Sequence, residues 1–311
     1  MTLHDRYVGC DVSKLWLDIF DPAEGKARRI ANTPAETARL AASMAASRAF
    51  VVFEATGIYD LDLRRALHGG RVPCARINPT TARRYAQALG RKAKTDALDA
   101  AVLADLGARL RPDPDPVPCP HRERLGQLSL RRDQLVEARK AEVIRLKAAR
   151  DSFVSASVRA HIGWLDGAII AAEHEISLLV AGHQTLRAQA RILASAPGVG
   201  PVTAQVLLAL MPELGSASPK RLAALAGLAP FNHDSGQLRG KRCISGGRRR
   251  VRCALFVAAL HAARRCPDLK AFADRITQTS KARKVALIAV ARKLLIRLNA
   301  MLRDQTTYKP A

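Results

Sequence analysis

Aromatic side chains are scarce in this chain: Phe, Trp and Tyr make up 4% of its 311 residues. Extended base stacking is therefore not the expected mode of contact with a polymer, whereas backbone gripping through charge is. The six cysteines (Cys10, Cys74, Cys119, Cys243, Cys253, Cys266) contain no Cys-x-x-Cys pair, which excludes the common zinc-finger spacings. Cys253, His261 and Cys266 fit no standard ligand spacing and read as residues of a packed helix face. Free thiols are expected, as in a cytoplasmic protein. No apolar signal segment opens the chain, and the apolar stretch Val285 to Ala291 stops at Arg292-Lys293, too short to span a bilayer. Acidic residues are also few, 27 against 51 Lys and Arg, giving a formal net charge of +24.

A charge of that size is a statement about partners, and nucleic acid is the leading one, because each neutralised phosphate releases condensed counterions. The charge is uneven. From Arg239 to Ala311 there are 19 Lys and Arg against 3 acids, so +16 of the +24 lies there. A catalytic half followed by a gripping half is the simplest organisation.

Against that basic background four acids stand out in the first third. Asp11 and Glu54 each end an apolar run, Tyr7-Val-Gly-Cys-Asp11 and Phe50-Val-Val-Phe-Glu54, which read as buried strands delivering a carboxylate to the sheet edge. Asp96 and Asp99 lie three apart in Lys94-Thr-Asp-Ala-Leu-Asp-Ala100, about 60° around a helix, so they can converge on one point. Clustered carboxylates repel unless a cation holds them, and hard oxygen donors suit Mg²⁺ or Mn²⁺. Singly, each acid has a plain structural role as a strand end or helix cap. Together, in a basic chain, they point to metal-assisted phosphodiester chemistry.

The pattern predicts strands over 6–12, 15–20, 49–54 and 72–77, and helices over 34–47, 60–68, 80–89 and 95–109, an α/β layer. Five prolines between Arg111 and Pro120 make a stiff connector and a domain boundary. Two long helices follow, over 121–153 and 158–180. In the second, Ile162, Leu165, Ile169, Ala172, Ile176 and Leu179 form a short heptad seam. A coiled-coil arm and an ordinary amphipathic pair folded on its own domain both satisfy it. The domains expected are therefore 1–111, a linker at 112–120, a hairpin at 121–190 and a mainly helical 191–311.

In the last region, Ala196-Pro-Gly-Val-Gly-Pro201 between two helical stretches has a helix-hairpin-helix pattern, whose turn at Gly198 and Gly200 can offer backbone N–H groups to phosphate, or can be purely structural. Residues 231–250 are Gly- and Ser-punctuated and densely basic. Ser235 and Ser245 lie there among guanidinium groups, the setting a phosphate-attacking hydroxyl needs, although a solvated loop has the same composition. Helices over 251–264 and 281–302 close the chain.

These pieces together resemble the DEDD transposases: Gly9-Cys-Asp-Val-Ser-Lys14, Glu54-Ala-Thr-Gly-Ile-Tyr59, Ile77-Asn-Pro79, Lys94-Thr-Asp-Ala-Leu-Asp-Ala100, Pro197-Gly-Val-Gly200, Leu225-Ala-Gly-Leu-Ala-Pro230, Asp234-Ser-Gly236 and Ile244-Ser-Gly-Gly-Arg248, in this order and spacing. The group comprises the Piv/MooV-type invertases and the bridge-RNA-guided recombinases of insertion-sequence family one-ten. The resemblance implies a RuvC-like (RNase H-fold) domain, a coiled-coil insertion and a C-terminal transposase domain. It implies that Asp11, Glu54, Asp96 and Asp99 bind the metal, Mg²⁺ or Mn²⁺, and that Ser235, preferred to Ser245 on motif position, attacks DNA and is transiently esterified to a strand end. His233 is either an acceptor for the serine proton or a phosphate contact. Arg239, Lys241 and Arg242 would neutralise charge at the reacting phosphate, and Arg248, Arg249 and Arg250 extend the nucleic-acid surface. The implied partners are donor and target double-stranded DNA, a guide RNA that reads sequence by pairing, and further copies of the chain in a dimer or dimer of dimers, in the bacterial cytoplasm at the nucleoid. Two alternatives stay open, a guide-free invertase and a RuvC-like structure-selective nuclease with an incidental serine. A non-catalytic binding protein would leave the four carboxylates unexplained.

Overall fold

The computed structural model describes residues 6–55, 57–90, 96–231, 243–280 and 282–309, with the side chains of 96–98 and 280 excepted. The chain forms two compact units, Met1–Pro118 and Cys119–Ala311.

The first unit is a mixed sheet with helices on both faces. Its strands are β1 (Tyr7–Val12), β2 (Trp16–Asp21), β3 (Lys26–Ala31), β4 (Phe50–Glu54) and β5 (Cys74–Ile77), in the order β3-β2-β1-β4-β5. β1 to β3 form an antiparallel meander, while β1, β4 and β5 run parallel through helical crossovers. Alternation sorts the side chains. Val8, Cys10, Val12, Leu17, Ile19, Val51 and Phe53 pack against α1 (Pro34–Ala46) and α2 (Leu61–Gly69). Tyr7, Phe50, Val52, Ala75 and Ile77 pack on the opposite face against α3 (Pro79–Ala88) and α4 (Asp96–Leu110).

β3 was not expected from the pattern. Its sequence, Lys-Ala-Arg-Arg-Ile-Ala, has little apolar alternation because it is a largely exposed edge strand with only one neighbour.

The second unit is helical: α5 (Pro120–Ala148), α6 (Ser152–Gly182), α7 (Gln184–Ala194), α8 (Pro201–Leu210), α9 (Pro219–Leu225), α10 (Arg249–Arg265), α11 (Pro267–Ser280) and α12 (Arg283–Arg303). One core gathers Leu193, Leu207, Leu222, Leu255, Leu294 and Leu298. α5 and α6 form an antiparallel hairpin laced by Arg132–Glu173 at 2.7 Å and by an Arg139–Asp166 pair. The predicted seam is the covered stripe of α6: Leu165 and Ile176 are buried, and Ile162, Ile169, Ala172 and Leu179 are half-buried. At the base of the hairpin Leu125 and Ile176 join the main core. The break between the two helices falls at 149–151, earlier than the expected 154–157, because the Asp151 carboxylate accepts from the Val154 N–H at 2.9 Å and so starts α6 there. α11 was also not expected; Pro267 opens it, at a position where a missing N–H costs nothing. A short antiparallel pair, β6 (Pro230–Phe231) with β7 (Cys243–Ile244), completes the unit.

Candidate active site

Asp11 and Glu54 stand side by side on neighbouring parallel strands. The ladder pairs Gly9 with Val52 and Cys10 with Phe53, so the next step sets Asp11 beside Glu54, about 5 Å apart strand to strand. Period-two alternation decides which face they share. Gly9 faces α4: a Cβ on it would lie 1.9 Å from the Ala100 carbonyl oxygen and 2.6 Å from the Ala104 nitrogen. Val52 faces α4 as well, since its Cγ2 lies 2.6 Å from where a Cβ on Gly107 would be. Asp11 is two residues beyond Gly9 and Glu54 two beyond Val52, so both carboxylates lie on the α4 face, half-buried.

The helix brings the remaining acids to the same end. With Ala100 over Gly9 and Gly107 over Tyr7 and Val52, α4 runs antiparallel to β1. Its N-terminal turn, which holds Asp96 and Asp99, therefore lies at the end of the sheet where Asp11 and Glu54 stand. Asp99 is half-buried. The side chain of Asp96 is outside the described residues. Among the described residues no three His, Cys, Asp or Glu side chains are gathered closely enough to hold a metal. The donor chemistry nonetheless fits a hard divalent cation: carboxylate oxygens on two rigid strands and one helix, without a thiolate or imidazole in the set.

Sequence reasoning missed three residues here. Asp18 on β2 is paired in register with Asp11, and Arg29 on β3 is paired in register with Asp18. Cross-strand partners share a face, so Glu54, Asp11, Asp18 and Arg29 form one row across four strands. Arg29 grips Asp18 with Nε at 2.9 Å from Oδ1 and Nη2 at 3.0 Å from Oδ2. The signal available was Asp18 inside an otherwise apolar strand, Trp16-Leu-Asp-Ile-Phe20. The third is Asn32, whose Nδ2 donates to the carbonyls of Ser13 and Tyr59, each at 2.9 Å. It ties the turn after Asp11 to the loop after Glu54.

Cys10, between Gly9 and Asp11 in sequence, points to the opposite face of the sheet and is fully buried against α1 and α2. Burial, followed by the charges of Asp11 and Asp18, pushes its thiol far above the ordinary range, so it stays protonated.

In the second unit, Ser235, Arg239, Lys241 and Arg242 lie outside the described residues, as does His233. The frame around them is defined. Phe231 pairs with Cys243, so the two ends of the 232–242 segment are held together by β6 and β7. After β7, Gly247 meets Gly227 backbone to backbone: a Cβ on Gly247 would lie 2.2 Å from the Gly227 nitrogen. This contact accounts for Gly227 and Gly247, while a φ of +66° favours glycine at Gly246. Ser245 is exposed.

Of the three consecutive arginines, two are engaged within the unit. Arg248 binds Glu213 through both terminal nitrogens at 2.6 Å, and Arg250 reaches Asp133 of α5 at 2.7 Å. Arg249 is exposed. Burial pushes the Glu213 carboxyl upward, but the hydrogen bonds and charge of Arg248 outweigh it and hold the group below the usual carboxylate range.

The Gly-Val-Gly turn joins α7 to α8. Gly198 has φ +79°, and a Cβ on it would lie 2.2 Å from the Ala258 carbonyl oxygen, so glycine is needed there for packing against α10. Gly200 is the exposed residue preceding α8. Among the described residues no helix is long and apolar enough to cross a membrane.

Comparison with known proteins matches two family models along the chain. The DEDD transposase model of the IS110 type covers residues 8–154, and the model described as Transposase IS116/IS110/IS902 family covers residues 190–274. A pilin gene-inverting protein of Moraxella lacunata is 31% identical over 265 residues, 83% of this chain and 81% of that protein. Its counterpart in Moraxella bovis aligns to the same extent. An insertion element IS110 uncharacterized 43.6 kDa protein of Streptomyces coelicolor is 35% identical over 142 residues, 45% of this chain and 34% of that protein.

Proposed function

The chain belongs to the IS116/IS110/IS902 family of DEDD transposases, and from that premise we propose that it is a DNA recombinase working by metal-dependent strand cleavage and serine esterification. The first unit is read as a RuvC-like domain, a reading supported by the β3-β2-β1-β4-β5 order with its antiparallel meander. Asp11, Glu54, Asp96 and Asp99 hold Mg²⁺ or Mn²⁺, and the observation that carries this is the convergence of two strand ends and the first turn of α4 on one end of the sheet. When bound, the metal supplies charge neutralisation at the phosphoryl oxygens and the leaving oxygen.

Ser235 is the nucleophile. Its Oγ forms a bond to phosphorus as the bond to the 3′ oxygen breaks, and the hydroxyl proton passes to a base. The phosphoserine ester conserves the energy of the phosphodiester, so a second strand's 3′ hydroxyl can reseal it without ATP. Arg239, Lys241 and Arg242 stabilise the developing charge. The pairing of Phe231 with Cys243 supports this role, because it gives a segment that must meet DNA a fixed base. Gly200, Arg249 and the basic stretch from Arg239 onward contact the DNA backbone. Arg248 and Arg250 contribute through the frame they build as well as through charge.

A bridge RNA reads donor and target by base pairing, which the +24 charge and few aromatics suit. The α5–α6 hairpin acts as a coiled-coil element joining copies into a dimer or dimer of dimers. Site-specific inversion is a second outcome of the same chemistry, favoured by the two Moraxella relatives named for inverting a pilin gene.

The test is covalent trapping. Protein, Mg²⁺, labelled element-junction DNA and RNA transcribed from the flanking segment are mixed and run on a denaturing gel. Label that stays with the protein, is lost in Ser235→Ala and persists in Ser245→Ala is the expected result. Cleaved DNA with no protein-linked label, unchanged in Ser235→Ala, would move the assignment to a hydrolytic RuvC-like nuclease.

A further inference from the structure

The row across the sheet contains one more carboxylate than the proposed metal set uses. Asp18 is directly opposite Asp11 in an antiparallel pair, on the same face, and is 7% exposed. Two acids in that relationship destabilise a sheet, and a buried carboxylate needs a partner. Arg29, one strand further out and half exposed, meets both needs with its two-point grip. The neighbouring cross-strand pairs on this face of β2 and β3 are Trp16 with Ala31 and Phe20 with Ala27, all uncharged. The charged pair occurs only where the row reaches Asp11.

We propose that Arg29 is a positioning residue that sets the divalent-cation affinity of the carboxylate site by holding Asp18 out of it. Asp18 is a ready-made additional donor beside Asp11. Pairing with Arg29 spends its charge and fixes its oxygens toward β3, so the cation is held by the acids on the Glu54 side and by α4. Without Arg29, Asp18 becomes a further carboxylate for the cation. Without Asp18, the Arg29 charge is no longer offset by that carboxylate and opposes cation binding. Ligand charge count is the main control on the affinity of an oxygen-donor site, so the two substitutions move affinity in opposite directions. A purely structural pair would give no such opposition, because loss of either partner would loosen the same contact.

This inference rests on the proposed metal site, and the experiment separates the two. Mn²⁺ binding to the full chain without nucleic acid is followed by electron paramagnetic resonance, with thermal melts to confirm folding. Arg29→Gln is expected to bind Mn²⁺ about tenfold more tightly than the parent and Asp18→Asn about tenfold more weakly. The Asp18→Asn/Arg29→Gln double variant, which removes both charges and leaves neither unpaired, is expected within about twofold of the parent. Mn²⁺ bound by the parent, lost in Asp11→Asn, yet unmoved or moved in the same direction by the two single variants overturns the role of Arg29 alone. Should Arg29→Gln not fold, Asp18→Asn and the double variant decide: equal affinities in those two overturn it. A parent chain that binds no Mn²⁺ at millimolar concentration overturns the metal site itself and this inference with it.

Discussion

Arg248 meets Glu213 end to end, Nη1 to Oε2 and Nη2 to Oε1, each at 2.6 Å, while Nη1 also donates to the Leu210 carbonyl at 2.7 Å. The guanidinium thus closes the C-terminal end of α8, and the Arg248 backbone N–H, donating to the Leu225 carbonyl, anchors the start of α10. Arg248 directly follows Gly247, whose backbone meets that of Gly227.

That geometry fixes a pH dependence. The folded Glu213 carboxyl lies below its unfolded value, which is about 4.3. Its contribution to stability is fully present above the unfolded value and is lost as pH falls through the folded one. Glu213→Gln is expected to lower stability at pH 7 by about 2 kcal/mol, because Arg248 loses a charged partner in a half-buried setting. It is also expected to flatten the fall in melting temperature between pH 5 and pH 3. Melting curves across that range check it: equal slopes in the two proteins would show that Glu213 is not the titrating group.

Gly9→Ala tests whether α4 must touch the sheet. The added Cβ would fall 1.9 Å from the Ala100 carbonyl oxygen, which is backbone and cannot swing aside. α4 must move off β1, at a cost of about 3 kcal/mol. Asp99 is on the next residue, so strand cleavage should fall further than the loss of folded protein explains. Activity normalised to the folded fraction at low temperature is the measurement. Normalised activity equal to the parent's would mean that the approach of α4 to Gly9 matters for stability only.

That Asp11 and Glu54 lie near strand ends and that Asp96 and Asp99 open a helix was legible in the sequence, because periodicity alone reveals those elements. β3 and the Asp18–Arg29 pair were not. A basic edge strand has no alternation to detect, and an acid-base pair eleven residues apart acquires meaning only when register places it beside Asp11. The arginine run shows the opposite limit. Arg248, Arg249 and Arg250 look equivalent as text, but helix geometry turns two of them onto Glu213 and Asp133 and one outward. Gly198 was read for its possible N–H donation, whereas its φ and its 2.2 Å approach to the Ala258 carbonyl oxygen show a packing demand.

Thiol reactivity separates the six cysteines. Cys243 and Cys253 are exposed, whereas Cys10 and Cys74 are buried. Burial, with Asp115 adding to it, pushes the Cys74 thiol up to about 12, and Cys10 is shifted further still. The thiolate is the reactive form. Brief iodoacetamide treatment of the native protein at pH 8, read by peptide mass spectrometry, should therefore modify Cys243 and Cys253 and spare Cys10 and Cys74 until the chain is unfolded. Early modification of Cys10 would mean that the sheet next to Asp11 opens under native conditions.

Asp11→Asn poses stability against function at one position. Asp11 lies between Glu54 and Asp18 in a row of cross-strand neighbours, and like charges so placed repel. Asp11→Asn is therefore expected to abolish strand cleavage while the metal-free protein still folds. Added Mg²⁺ separates the two proteins. A cation that binds only the folded state stabilises it by about 2.7 kcal/mol at a hundredfold excess over its dissociation constant, so the parent's melting temperature should rise with Mg²⁺ while that of Asp11→Asn stays flat. The same comparison with Ca²⁺ and with Na⁺ at matched ionic strength distinguishes site binding from screening, since screening acts on both proteins alike. A parallel rise in parent and variant would remove Asp11 from the metal set.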